Sequence, residues 1–291
     1  RSMEVVDNKK KKELEIFAAQ IRLETFKELT TLGFGHVGGA MSIADVLAVL
    51  YGDVMKVDPN NKNWEQRDYF ALSKGHAGPA LYATLALKGF FPTEMLKTLN
   101  QNGTSLPSHC SRVHTPGVDL TTGSLGQGIS TAMGSALASR VLGGENYAYC
   151  VVGDGECDEG QIWEAVLFAA HQKLSNFVLF VDSNKKQLDG AVKDICELDS
   201  IEEKFKAFNW YVQSVDGHDV GAIGDAVANA KAQSKQPSVI VLNTIKGKGC
   251  KPAEEAEFNH HMMFPDAEAN RKEIERMEHV VETLAKEWRA M

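Results

Sequence analysis

The chain has 291 residues, of which 43% are apolar and 24% charged, and 31 Lys and Arg against 39 Asp and Glu give a net charge of −8. This is ordinary globular composition, enough for one large α/β domain or two small ones, and it excludes a disordered chain. The acidic balance repels phosphate backbones, so no nucleic-acid partner is expected, and Lys9–Lys12 and the Lys246, Lys248, Lys251 group both read as solvated faces.

Five cysteines (Cys110, Cys150, Cys157, Cys196, Cys250) without a C-x-x-C pair fit a reducing cytoplasm better than a disulfide or zinc framework. No run approaches the roughly 18 apolar residues of a membrane span, so no membrane partner is expected either. Arg1-Ser2 before Met3 reads as a cloning scar on a tail of residues 1–12.

Apolar residues from Leu14 to Leu32 follow helical spacing over Glu13–Leu32 until Gly33 and Gly35 stop the run, and a second helical stretch follows Ser42. Tyr69–Leu72 reads as a short strand, Pro79–Lys88 and Thr93–Asn100 as helices, and Gln101–Thr122 as the longest loop. The small-residue stretch Gly126–Val141 suits a closely packed helix. Strand Tyr147–Val152, helix Gly160–His171 and strand Phe177–Val181 then make a βαβ unit. Strands Trp210–Val215 and Ser238–Leu242 flank a helix near Val220–Ser234, and Asp266–Met291 reads as one amphipathic helix. Such alternation predicts a doubly wound, mostly parallel sheet with helices on both faces, and ligands at the carboxyl ends of its strands.

Residues 33–38 satisfy G-x-G-x-x-G, but a helix rather than a strand precedes them, so a dinucleotide site is rejected; the loop instead presents His36. Gly153-Asp154-Gly155 follows a strand directly, and Asn184 follows the next one. Two neighbouring strands therefore offer a carboxylate and an amide oxygen at one edge. With a backbone carbonyl these suit Mg²⁺ bound together with a diphosphate, which needs loop N–H groups and imidazoles because no Walker lysine motif is present. Gly123-Ser124-Leu125-Gly126-Gln127-Gly128 opens a helix whose N–H groups could face an anion, and His76, His109, His114, His260 and His261 lie in nearby turns.

Taken in order, Gly35-His36-Val37-Gly38-Gly39, Ser73-Lys74-Gly75-His76-Ala77-Gly78-Pro79, Thr122–Gly128, Gly153-Asp154-Gly155 with Glu159 and Gly160, Asn184 with Leu188-Asp189-Gly190, and Asp216-Gly217-His218-Asp219 resemble the diphosphate-binding half of transketolase over about Leu14–His260. The likeness is greatest to transketolases split over two polypeptides. The resemblance implies thiamine diphosphate held through Mg²⁺, with Ca²⁺ or Mn²⁺ as substitutes, by Asp154, Asn184 and the main-chain carbonyl of Lys186. It implies that His76 and His260 contact the diphosphate end or nearby substrate, that Gly123, Ser124, Leu125, Gly155 and Glu159 line the cofactor, and that His36 and His109 meet sugar hydroxyls. His36, His76, His109 and His260 are thus the expected catalytic residues, their individual proton-transfer roles left open. Glu159 and Glu164 match glutamates near the family's dimer interface.

The implied activity is transfer of a two-carbon ketol unit from a ketose to an aldose. On this reading residues 13–265 form the diphosphate-binding domain and residues 266–291 a helix of the same domain. A pyrimidine-binding domain with the cofactor-activating glutamate is expected on a separate C-terminal subunit, in an α₂β₂ assembly. Cys110 and His261 replace the family's usual Pro and Gly beside substrate-facing histidines, and Lys185 replaces a frequent Gly. The rival readings are another thiamine-diphosphate enzyme subunit, of deoxyxylulose-phosphate-synthase or 2-oxoacid dehydrogenase type, and a non-catalytic subunit retaining the fold.

Overall fold

The computed structural model describes residues 8–188 and 190–291; Arg1-Ser2, the rest of the tail before Asn8, and Asp189 of the Leu188-Asp189-Gly190 motif lie outside the described residues. Strands β1 (Tyr69–Leu72), β2 (Ala148–Gly153), β3 (Phe177–Ser183), β4 (Tyr211–Asp216) and β5 (Ser238–Asn243) form one parallel sheet in the order β1-β2-β3-β5-β4. Around it lie helices α1 (Asn8–Leu32), α2 (Gly78–Leu87), α3 (Gln127–Val141), α4 (Gly160–His171), α5 (Ile201–Ala207), α6 (Val220–Ala232) and α7 (Ala267–Ala290).

A strand covered on both faces cannot alternate polar with apolar residues, which is why β3 begins Phe-Val-Leu-Phe-Val and is buried along its whole length. Successive side chains serve opposite layers. Tyr149, Val151, Val178, Phe180, Ile240 and Leu242 join the core shared with α1, α2 and α6, whereas Cys150, Val152, Leu179, Val181, Val239 and Val241 join the core shared with α3, α4 and α5. The doubly wound sheet expected from the sequence is thus present.

Several helices start where a short polar side chain takes up free N–H groups. The Asp219 carboxylate accepts from Gly221 and Ala222 at the start of α6, and Asp266 accepts from Glu268 and Ala269 at the start of α7. Helix α7 lies antiparallel along α1, and Lys12–Glu287 and Lys27–Glu278 ion pairs of 3.0 Å join the two.

Two segments differ from the sequence reading. Thr93–Asn100 forms tight 3₁₀ turns over Thr93–Thr98 rather than an α-helix, and the helix expected after Ser42 runs as an α-helix over Ala44–Val49 and then widens into a π-helical turn over Leu50–Val54. Two-residue ladders fasten the loops at the sheet's carboxyl edge: Phe34–Gly35 pairs with Met262–Met263, and Lys186–Gln187 with Gly190–Ala191. The first ladder brings the His36 loop against His260 and His261.

Candidate active site

Strands β2 and β3 end side by side, Gly153 in register with Asp182, so the chain leaves both into adjacent loops. Asp154 follows β2 at 2% exposure, its carboxylate accepting from the backbone N–H groups of Gly155 at 2.9 Å and Lys185 at 2.6 Å. Burial, with Asp182 nearby, raises its pKa to about 6. Asn184 follows β3, its amide nitrogen donating to Asp182 at 3.0 Å and its oxygen accepting from the Lys186 N–H at 3.1 Å. The Lys186 carbonyl accepts from the Lys246 ammonium at 3.2 Å.

Beneath these groups lies a fully paired polar layer. Asp182 accepts from Ser42 at 2.6 Å, from Asn184, from Thr244 and from the Lys74 ammonium, which also donates to the Gly39 carbonyl at 3.0 Å. Burial pushes the Asp182 carboxyl up, but Lys74 and the other donors outweigh it and hold the group below the usual range. Glu156 plays the same part further along, accepting from Ser73 at 2.5 Å and from the N–H groups of Gly126 and Gly153. It ties the loop after β1 to the start of α3. Those loops touch so closely at Gly75 that an added Cβ would lie 2.7 Å from the Gly123 nitrogen.

Above the layer the imidazoles converge. The His36 ring centroid lies 4.9 Å from those of His260 and His261, 5.6 Å from His76 and 5.8 Å from His109, and His76 is 4.8 Å from His260. Burial disfavours the imidazolium form throughout: the pKa falls to about 4 at His36, where His261 adds to the effect, and to about 3 at His260, where Lys246 does. His76 lies well below the ordinary value for the same reason, with Lys74 beside it, and His109 is lowered by burial. All four are therefore neutral at pH 7, each with one ring N–H and one acceptor nitrogen. The His36 Nδ1 is buried without a hydrogen-bond partner among the described residues.

These groups open into one cavity of about 400 Å³. Its oxygen donors are a carboxylate, a side-chain amide and a main-chain carbonyl, a set that suits a hard divalent cation sharing its shell with phosphates. Among the described residues no cluster of three or more His, Cys, Asp and Glu side chains is arranged to hold a metal, so a cation here depends on amide, carbonyl and ligand oxygens.

The family model described as "Transketolase, thiamine diphosphate binding domain" matches residues 14–278. The chain belongs to the transketolase family. It is 52% identical over 254 residues to the 6-deoxy-6-sulfo-D-fructose transketolase subunit SqwG of Clostridium sp. (strain MSTE9), across 87% of this chain and 92% of that protein. It is 35% identical over 253 residues to an apulose-4-phosphate transketolase subunit of Phocaeicola vulgatus, across 87% of this chain and 89% of that protein. The transketolase structure from Leishmania mexicana matches 95% of this chain with a TM-score of 0.82 at 29% identity, but only 46% of its own chain is covered. The chain thus spans most of the length of relatives named as subunits and about half of that transketolase.

Within this transketolase domain, every site residue expected from the sequence lines the cavity except Ser124, which is exposed beside it: His36, His76, His109, Gly123, Leu125, Asp154, Gly155, Glu159, Asn184, Lys186 and His260. Glu164 is exposed on α4, away from the cavity. One sequence reading is corrected. Lys246 is not on a solvated face: it is 5% exposed and lines the cavity, because Ile245 and Lys246 are neighbours in an irregular segment and turn opposite ways, leaving Ile245 half exposed. Sequence reasoning also passed over Lys74, Asp182 and Glu156. Lys74 stands inside the Ser73–Pro79 motif and Asp182 directly after an apolar strand run, which were the available signals.

Proposed function

We propose that the chain is the diphosphate-binding subunit of a two-chain transketolase that moves a two-carbon ketol unit from an anionic ketose to an aldose. The observation carrying this reading is that the Asp154, Asn184 and Lys186 oxygens and four neutral imidazoles face one cavity at the carboxyl ends of β2 and β3. Asp154, Asn184 and the Lys186 carbonyl would hold Mg²⁺, and through it the diphosphate. Thiamine diphosphate, when bound, supplies the carbon nucleophile and electron sink for breaking and remaking a C–C bond.

The protein's own part is orientation and proton movement. A neutral imidazole accepts a proton from a sugar hydroxyl or donates a hydrogen bond to a carbonyl oxygen, which suits His36, His109 and His260 on the substrate side. His76, between Lys74 and His260, suits the diphosphate end. The relative named for 6-deoxy-6-sulfo-D-fructose makes a sulfonated ketose the first donor to test, with a phosphorylated one second. Exposed Leu167 and Phe168 on α4, beside Glu164, and Val141 and Leu142 at the end of α3 offer an apolar surface for the second chain, which we place in an α₂β₂ assembly.

The test is a calorimetric titration of thiamine diphosphate with Mg²⁺ into the chain, alone and with its partner, followed by a ketose screen. Binding that strengthens with the partner, and ketol transfer by the pair alone, support the reading. Pyruvate decarboxylation without ketose cleavage would favour the 2-oxoacid or deoxyxylulose-phosphate type, and no binding even with the associated partner would overturn the assignment. In the active pair, His36→Ala is expected to lower kcat/KM about a hundredfold or more.

A further inference from the structure

His36 is placed to pass protons but not to keep them. Burial disfavours its imidazolium, with His261, His109 and Lys246 adding to the effect, and the His260 main chain works the other way without outweighing them. A proton taken from a sugar hydroxyl therefore has to leave the ring again. An imidazole that gains a proton on one nitrogen passes it onward by releasing another from the second. The Nδ1 of His36 is buried and has no hydrogen-bond partner among the described residues. Buried polar atoms are rarely left so, and the surroundings of this one supply a partner.

A second, smaller recess adjoins the His36 loop. It holds about 40 Å³, with Leu29, Leu32 and Leu99 on its apolar side and His36, Ser108 and His261 on its polar side. That is room for a water molecule, with a lining able to bond it. His36 lines both this recess and the main cavity. His261 lines the recess and is exposed to solvent, its ring edge-on to His36 at 4.9 Å between centroids and tilted over Phe34 at 5.7 Å. The ladder of Phe34–Gly35 with Met262–Met263 holds the two loops in this register.

We propose that His261 is a proton-relay residue that exchanges protons between solvent and the Nδ1 of His36 across this recess, an inference that rests on the ketol-transfer reading above. It acts through His36 and touches no substrate. When the ketose is cleaved, the sugar hydroxyl gives its proton to the Nε2 of His36 and Nδ1 releases its own to a water in the recess. That water passes a proton to His261, which releases one to solvent. Each member gains one proton and loses one, so no imidazolium accumulates and His36 ends as its other tautomer. When the aldose is extended the path runs backwards: Nε2 protonates the new hydroxyl, and a proton returned through His261 restores Nδ1–H. No net proton is consumed over the full transfer.

The experiment uses the chain with its partner, Mg²⁺ and thiamine diphosphate, and compares wild type, His261→Phe and His261→Gly on the ketose that the screen above finds. Phenylalanine keeps a ring against His36 but has no nitrogen to carry a proton, whereas glycine opens the recess to solvent water. The relay predicts a kcat lower by about tenfold or more in His261→Phe, with KM and the Kd for thiamine diphosphate within about twofold of wild type. It predicts a smaller loss in His261→Gly. A packing role predicts the reverse order, because only glycine removes the ring contact. The relay is overturned, with ketol transfer left standing, by a kcat within about twofold of wild type in His261→Phe, by a loss that lies in KM instead, or by a greater loss in His261→Gly. If wild type moves no ketol unit from any ketose, the relay falls together with the reading it rests on.

Discussion

Asp182 and Asp154 lie one residue apart in strand register, and the Asp154 N–H donates to the Asp182 carbonyl at 3.1 Å, yet their carboxylates are treated oppositely. Asp182, at 0% exposure, collects Ser42, Lys74, Asn184 and Thr244 and is held ionised. Asp154, nearly as buried, has two backbone donors and no cation against it, and its pKa rises to about 6. Equal burial with unequal pairing is what the proposed function requires of the two: a strut satisfied by its neighbours in Asp182, and in Asp154 a carboxylate with acceptor capacity left for the proposed cation.

Replacing the two aspartates should pull these roles apart. Asp182→Ala leaves the Lys74 ammonium buried without its partner, and a loss of about 3–5 kcal/mol in unfolding free energy is expected in urea titrations. Asp154→Ala should fold with stability close to or above wild type and lose roughly a hundredfold or more in affinity for thiamine diphosphate with Mg²⁺. The comparison breaks if Asp154→Ala is as destabilising as Asp182→Ala, or if it binds normally.

The difference between these residues also marks how far the sequence could be read. The β2 and β3 strands were legible because burial on both faces demands unbroken apolar runs, and the place of Asp154 at the strands' carboxyl edge was legible because Asn184 follows the end of the next strand. The cavity-lining histidines were found through motifs matched in order. The Lys74–Asp182 pair was not, because its partners lie 108 positions apart and no local pattern joins one to the other. Lys246 was misread because net acidity and neighbouring lysines describe a surface, and only the turn of the segment after β5 points one of them inward. Thr93–Thr98 has helical spacing, which does not separate 3₁₀ turns from an α-helix.

The glycine contact under the site offers a smaller test. An added methyl in Gly75→Ala would meet backbone rather than a flexible side chain, so the loop after β1 must shift away from Gly123. A cost of about 1–3 kcal/mol is expected, with weaker cofactor binding because His76 moves with the loop. A variant with unchanged stability and unchanged Kd would show that these loops are less tightly coupled than the contact implies.

Glu28 extends the comparison to a buried carboxyl with no hydrogen-bond partner among the described residues. It lies in α1 at 1% exposure, and among the described residues neither side-chain oxygen has a hydrogen-bond partner. Burial, with Glu24 adding to it, pushes its pKa well above the ordinary 4.5. The folded chain therefore binds a proton that the unfolded chain gives up, and between the two pKa values stability falls as pH rises. The group costs nothing on this account below the unfolded value and progressively more above it. Glu28→Gln removes that slope, so in thermal unfolding the variant should gain more over wild type near about pH 8 than near about pH 5. A gain of equal size at both pH values would mean that packing, not ionisation, sets the cost of Glu28, and a loss at pH 8 would mean that the carboxyl has a partner in solution that its surroundings in α1 do not supply.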